Sequence, residues 1–272
     1  MSVYVVTGVS RGIGFEFLNQ LSADSNALVI GLVRDKAATE KKVAAELGGR
    51  SNVHILEADL TKYASLKNAA GEAAKIVGDR GVDYLIASGA YIPMFDAFDP
   101  IGKFADKPEE LDTVAAQLMQ TNVTGNIHLF HLFLPLVQKG KTKKIIAITT
   151  GLADVDSTNL MEVEIGSLYA ASKAALNMVV AKFNAQYKKE GILFLSISPG
   201  VVEVGQYANI TPEQGQSLMK FMGTVATVAP DFKGPAAPAD AVRQVKETWE
   251  KASIETGFGG AFVSHHGDKN WI

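Results

Sequence analysis

Short apolar runs recur along the chain: VYVV (3–6), ALVIGLV (27–33), VHILEA (53–58), VDYLIAS (82–88), KKIIAITT (143–150), ILFLSIS (192–198) and GAFVS (260–264). Between most of them lie stretches with helical apolar spacing, such as FEFLNQLS, LKNAAGEAAKIVG and AALNMVVAKFNAQYKK. A near-continuous β-branched run offers no polar face to water, so its strand has to be covered on both sides. Such strands alternating with amphipathic helices predict an α/β fold built on a largely parallel, seven-stranded sheet. Right-handed crossovers then place helices on both faces, giving a doubly wound Rossmann-type architecture. No Pro- or Gly-rich linker and no internal repeat divides the 272 residues, so one domain over 1–272 is expected. The less regular parts, 91–112, 151–167 and 201–239, each follow a strand. They are expected at the carboxyl edge of the sheet, where ligands bind in this architecture.

Composition narrows the function. The formal net charge is −3 and no basic stripe is visible, which argues against nucleic acid as a partner. Lys139, Lys141, Lys143 and Lys144 do cluster, but between an apolar helix and an apolar strand, where a solvated connection is expected. The absence of cysteine removes disulfides, thiolate nucleophiles and cysteine-ligated zinc together. No basic-then-apolar leader opens the sequence, and no uncharged apolar run approaches the roughly 18–20 residues a bilayer requires. A cytoplasmic protein with no membrane partner is expected.

The stretch TGVSRGIG (7–14) directly follows the first run and opens the first helical stretch. Gly8 suits a tight turn, Gly12 lets a phosphate approach the main chain, and Gly14 allows close helix–strand packing. The helix N-terminus would offer unpaired N–H groups and a positive dipole end to a pyrophosphate. A plain structural turn also uses glycine, but the strand–turn–helix context favours dinucleotide binding. The end of the second run reads GLVRDK, with Val33 where an acidic, ribose-binding residue would favour NAD(H). Arg34 follows it, and Arg11 lies in the glycine loop, two guanidinium groups suited to a 2′-phosphate. NADP(H) is expected, with NAD(H) kept open by Asp35.

YAASK (169–173) puts a phenol and an ammonium four residues apart, on one face if the stretch is helical. An ordinary amphipathic helix could carry the same pair by chance. A free phenol titrates near 10, and bringing it to about 7 takes roughly 4 kcal/mol of differential stabilisation. A neighbouring ammonium and a cationic nicotinamide ring could share that work.

Taken in order, TGVSRGIG, ADL (58–60), TNVTG (121–125), ITT (148–150), YAASK and SPG (198–200) resemble the motifs of the short-chain dehydrogenase/reductase family. The resemblance spans essentially the whole chain, and its finer flavour is similar to the carbonyl-reductase branch that includes norsolorinic-acid-type ketoreductases. It implies Tyr169 as general acid toward a carbonyl oxygen, and Lys173 as the residue that holds the nicotinamide ribose and lowers the tyrosine pKa. Asn122 would support a water through a helical irregularity. Gly8, Ser10, Arg11, Gly12, Ile13 and Gly14 would contact the cofactor, with Asp59 and Leu60 at the adenine. Ser88, Gly89 and Ala90 would line the cofactor, and Pro199 and Gly200 would lie beside the nicotinamide.

Three positions depart from the family pattern. The family's serine aligns with Thr150, which keeps a hydroxyl but adds a methyl, with Thr149 as the alternative. The family's Asn-Asn-Ala-Gly run is Ala87-Ser88-Gly89-Ala90, which keeps the small residues and loses the asparagines. Val204 stands where a threonine would hold the carboxamide, so that contact would pass to backbone, for example at Val202. The resemblance also implies a homodimer or homotetramer.

A small hydrophobic carbonyl or alcohol substrate is expected, with Leu152 near its reactive carbon. Tyr91, Ile92, Met94 and Phe95 would form the opposite wall, and Val204 to Met222 a lid. No metal is expected at His265, His266 and Asp268, because adjacent strand residues point apart. His128 and His131 read as packing or interface residues. The alternatives to a carbonyl reductase are a redox-neutral epimerase or dehydratase and a non-catalytic NADP(H) sensor.

Overall fold

The computed structural model describes residues 1–205 and 210–272. Its strands are β1 (Val3–Thr7), β2 (Leu28–Val33), β3 (Val53–Glu57), β4 (Tyr84–Ala87), β5 (Lys144–Ile148), β6 (Leu193–Ser198) and β7 (Phe262–Ser264). They form a seven-stranded, wholly parallel sheet in the order β3-β2-β1-β4-β5-β6-β7. Each strand begins and ends within two residues of the apolar run that predicted it. β2 and β6 are buried at every position, the mark of strands covered on both faces.

The two-residue side-chain period deals successive residues to opposite layers. Val5, Ile30, Leu85, Ile145 and Phe194 pack under α3 (Tyr63–Val77), α5 (Gly125–Lys139) and α7 (Ser167–Tyr187). Val6, Val29, Ile86, Ile146 and Leu195 pack under α1 (Gly12–Ser22), α2 (Lys36–Leu47) and α9 (Pro238–Lys251). In the second layer Trp249 of α9, 1% exposed, stacks on Phe17 of α1 with ring centroids 5.3 Å apart. At the amino edge the buried carboxylate of Asp83 accepts from the N–H groups of Val3 (2.9 Å), Lys141 (2.8 Å) and Thr142 (3.1 Å). That clips the first strand to the connection entering β5.

Strand order reverses between β1 and β4, so the chain leaves these neighbours in opposite directions and opens a crevice at their carboxyl ends. The three irregular segments gather at that edge. The first holds a 3₁₀ turn (Ile101–Phe104) and α4 (Pro108–Leu118), and the second a 3₁₀ turn (Gly151–Ala153) and α6 (Val155–Leu160). The third is more regular than its sequence suggested, because α8 (Pro212–Val228) fills much of it. A capping box between Thr211 and Gln214, with Pro212 at the first helical position, starts that helix. Residues 206–209 of the expected lid lie outside the described residues.

Candidate active site

The glycine loop lies at the crevice. Gly8 has φ +76°, and a Cβ there would come within 2.7 Å of Gly89 Cα. A Cβ on Gly14 would strike the Gly8 carbonyl, and one on Gly89 would lie 3.1 Å from Thr7 Oγ1. The Gly89 N–H donates to Thr7 Oγ1 at 2.8 Å, which draws Ser88–Ala90 against the loop. Leu60 closes the same wall, its Cδ1 3.3 Å from where a Gly89 Cβ would stand. These close backbone approaches leave no room for a side chain at Gly8 or Gly14 and draw the turn against Ser88–Ala90. α1 starts at Gly12 with no side-chain cap, so the amides of its first turn face the crevice end of the helix, with Ile13 half-buried among them.

Two cations flank this turn. The guanidinium groups of Arg11 and Arg34 are exposed and make no hydrogen bond or ion pair among the described residues. Asp35, by contrast, is engaged: its Oδ1 accepts from Ala38 N at 2.9 Å and caps α2. Lys42 adds a third positive charge, over the Phe15 ring at 4.1 Å and 3.4 Å from the carbonyl of Ser10. Asp59 caps its own turn, accepting from Thr61 N at 2.9 Å and Thr61 Oγ1 at 2.7 Å. Burial would raise its pKa, but those bonds and the Lys62 ammonium outweigh it and hold the carboxyl below its ordinary value.

YAASK lies in the first two turns of α7. Lys173 is 2% exposed, and its Nζ donates to the Ile148 carbonyl at 2.8 Å while lying 5.8 Å from the Tyr169 ring centre. Burial pulls the Lys173 ammonium down to about 8 and pushes the Tyr169 phenol above its ordinary value. Burial alone sets the direction of the phenol's shift, and the ammonium donates to a backbone carbonyl. What this leaves is a protonated phenol, the state a proton donor needs.

The ammonium is moored two residues before Thr150. Thr150 is half-buried, and its Oγ1 accepts from Leu152 N at 3.3 Å, starting the 3₁₀ turn that packs on α7. Thr149 is 3% exposed, with a buried hydroxyl that has no partner among the described residues. Leu152 reaches the start of α7, its Cδ1 3.5 Å from where a Gly166 Cβ would stand.

Asn122 sits in a π-helical turn, Met119–Thr124, between α4 and α5, and is fully buried. Its Oδ1 accepts from Tyr91 N at 2.8 Å, and its Nδ2 donates to Tyr91 O at 3.0 Å and Ser172 Oγ at 3.0 Å. Ser172 Oγ donates in turn to the Tyr169 carbonyl at 2.7 Å. On the other wall, Pro199 is buried, and Gly200, at φ +77°, packs so that a Cβ would meet the His265 ring at 2.8 Å. Val202 is buried and bridges to Ala236, while Val204 lies 3.4 Å from a Cβ built on Gly12, arching over the glycine loop.

Ser172 and Ser198 escaped the sequence reading. Ser172 is visible within YAASK three positions after Tyr169, on the same helical face. Ser198 opens SPG, and its buried Oγ accepts from Gly151 N at 3.0 Å and Gly200 N at 3.4 Å, tying the loops after β5 and β6 together. At the tail, the His265 and His266 rings lie 3.9 Å apart, while Asp268 binds Ser264. No cluster of three potential metal ligands occurs among the described residues, and no helix there is long and apolar enough to cross a membrane.

Comparison with known proteins places this geometry. The family model described as short chain dehydrogenase matches residues 2–215. The chain belongs to the short-chain dehydrogenase/reductase family. It is 63% identical over 272 residues to the short-chain dehydrogenase/reductase iacC of Pestalotiopsis fici, covering all of both chains. It is 54% identical over 273 residues to the short chain dehydrogenase virK of Hypocrea virens, again over all of both. Among solved structures, an NADPH-bound carbonyl reductase from chicken fatty liver superposes with a TM-score of 0.77 at 22% identity, covering 98% of each chain. The KRED1-Pglu enzyme gives 0.75 at 21% identity, covering 97% of this chain and 100% of that one. The structural likeness bears on the Rossmann-type fold. As a short-chain dehydrogenase/reductase, the protein is an oxidoreductase.

Proposed function

We propose that the protein is an NADP(H)-dependent carbonyl reductase acting on a hydrophobic ketone or aldehyde. The observation that carries this reading is the half-buried Tyr169 phenol, one turn from a buried Lys173 and beside the segment that holds Thr150. In this reading Tyr169 donates its proton to the carbonyl oxygen, and the Thr150 hydroxyl orients that oxygen and stabilises developing charge on it. The half-buried Thr150, rather than Thr149, serves in this reading, because the Thr149 side chain is enclosed and its hydroxyl buried.

The glycine turn and the uncapped start of α1 fit a pyrophosphate, and Arg11 and Arg34 fit a 2′-phosphate. Asp35 is occupied as a helix cap, which weighs against its serving a ribose hydroxyl. When bound, NADPH supplies the hydride. The chain supplies orientation, with Lys173 holding the ribose and Pro199, Gly200 and Val202 the nicotinamide side. Substrate preference follows from the exposed apolar side chains at the same edge, among them Ile92, Met94 and Leu160. A cavity of about 420 Å³ lined by Ile101, Phe104, Leu111 and Leu168 opens beside the residue preceding Tyr169.

The test is NADPH and NADH consumption across a panel of hydrophobic ketones, aldehydes and diketones, for wild type and for Arg11→Ser/Arg34→Ser. Faster turnover with NADPH is expected. The double variant should raise the KM for NADPH by about 10- to 100-fold, the worth of one or two charge-assisted hydrogen bonds, and leave NADH little changed. NADPH binding without turnover on any carbonyl would indicate a sensor. Redox-neutral conversion without cofactor consumption would indicate an epimerase or dehydratase.

A further inference from the structure

Asp96 stands in the apolar stretch MFDAF (94–98) and is wholly buried at 0% exposed. Its Oδ2 accepts from the backbone N–H of Leu168 at 2.7 Å and of Tyr169 at 3.0 Å. Its own carbonyl accepts from Gly166 N at 2.8 Å. The start of α7 is therefore capped by a residue 72 positions before Leu168. No local residue serves instead. The N-cap position is Gly166, at φ 70° and without a side chain, and the Ser167 hydroxyl is buried with no partner among the described residues. A buried carboxylate costs free energy unless it is compensated, and here the compensation is the positive end of a 21-residue helix. The other oxygen, Oδ1, has no hydrogen-bond partner among the described residues, so the hydrogen bonds they give the carboxylate come from the helix terminus.

The same short segment is gripped at its other end, where the Tyr91 backbone pairs with the Asn122 side chain. From there the chain of bonds runs through Ser172 to the Tyr169 carbonyl. Tyr169 is thus held at its N–H by Asp96 and at its C=O by Ser172, and residues 91–96 close the circuit.

We propose that Asp96 is a positioning residue for Tyr169. It fixes the first turn of α7, and it makes the placement of the phenol depend on the loop that forms one wall of the substrate site. This rests on reading Tyr169 as the proton donor. An error of about 1 Å in such a group can cost about 100-fold in rate.

The test compares Asp96→Asn, Asp96→Ala and Tyr169→Phe in the full-length protein, with kcat expressed per NADPH-binding site. Asn keeps an oxygen able to accept both amides, whereas Ala keeps none. Asp96→Ala should lower kcat by about 10- to 100-fold with the NADPH dissociation constant unchanged, and Asp96→Asn should recover most of it. Hydrogen exchange at the amides of Leu168 and Tyr169 should accelerate in the Ala variant and much less in the Asn variant. A purely structural role would lower thermal stability and the number of binding sites while leaving kcat per site intact. That outcome, or equal losses in Asn and Ala, overturns the proposal. Should Asp96→Ala not fold, Asp96→Ser, too short to reach both amides, takes its place with the same outcomes. An active Tyr169→Phe enzyme defeats the proton-donor reading, while unaccelerated exchange in Asp96→Ala defeats the cap, so the two failures are read separately.

Discussion

Tyr169→Phe is expected to lower kcat for carbonyl reduction by about 10²- to 10⁴-fold, the usual range for loss of a positioned general acid. The ring, its packing and the Asp96 and Ser172 contacts to its backbone would all remain, since only the hydroxyl is removed. NADPH binding and thermal stability should therefore stay close to wild type. The loss is diagnostic when it falls on kcat and kcat/KM alike, because that pattern marks an interaction made in the transition state. A variant that keeps most of its reductase activity on a good substrate would sink the assignment. The pH profile offers a second check. Burial holds the phenol protonated well past neutrality, so the proton donor itself should not fail near neutral pH. An alkaline decline centred near 8 would belong to Lys173 instead, as its ammonium is lost there.

Lys173→Met should separate activity from stability. Loss of the charged donor to the ribose is expected to reduce kcat/KM by about 100-fold or more, by the worth of charge-assisted hydrogen bonds. Stability should move the other way. Lowering the ammonium from its ordinary value to about 8 corresponds to roughly 3 kcal/mol of folding penalty at neutral pH. Against that, the Ile148 carbonyl loses its donor, at about 1–3 kcal/mol. The net expectation is a Met variant between isostable and about 2 kcal/mol more stable at pH 7. The sign with pH is fixed by linkage: between about 8 and 10.5 the unfolded chain binds the extra proton, so wild-type stability rises through that window. The advantage of the Met variant should shrink across the same window. Parallel denaturation curves at pH 7 and pH 10 measure it, and a gap that widens with pH would contradict the buried-charge account.

Much of the architecture was legible because it depends on local composition. A run such as LVIGLV has to be covered on both faces wherever it stands, so strand positions followed to within two residues. The glycine turn was legible for the same reason, since Gly8 and Gly14 sit where any Cβ would meet backbone. α8 was also written locally, in the TPEQ capping box at 211–214, but its mixed polar and apolar body disguised it as loop. Asp96 was not legible as a partner of Tyr169. A carboxylate between Phe95 and Ala97 shows that something must compensate it, but not that the partner lies 72 or 73 positions away. Ser198 is similar, joining two loops across a distance that no periodicity encodes. The direction of the Tyr169 shift likewise follows from its burial, a fact of packing rather than of i,i+4 spacing.

The packing of Trp249 against Phe17 ties the order of synthesis to the exposure of the sheet. Phe17 and β1 are among the first residues made, whereas α9, which covers them, follows more than two hundred residues later. A nascent chain therefore carries an uncovered apolar face for most of its translation, the condition under which partly folded α/β chains stick to one another. Slow or truncated translation ahead of residue 238 leaves that face bare.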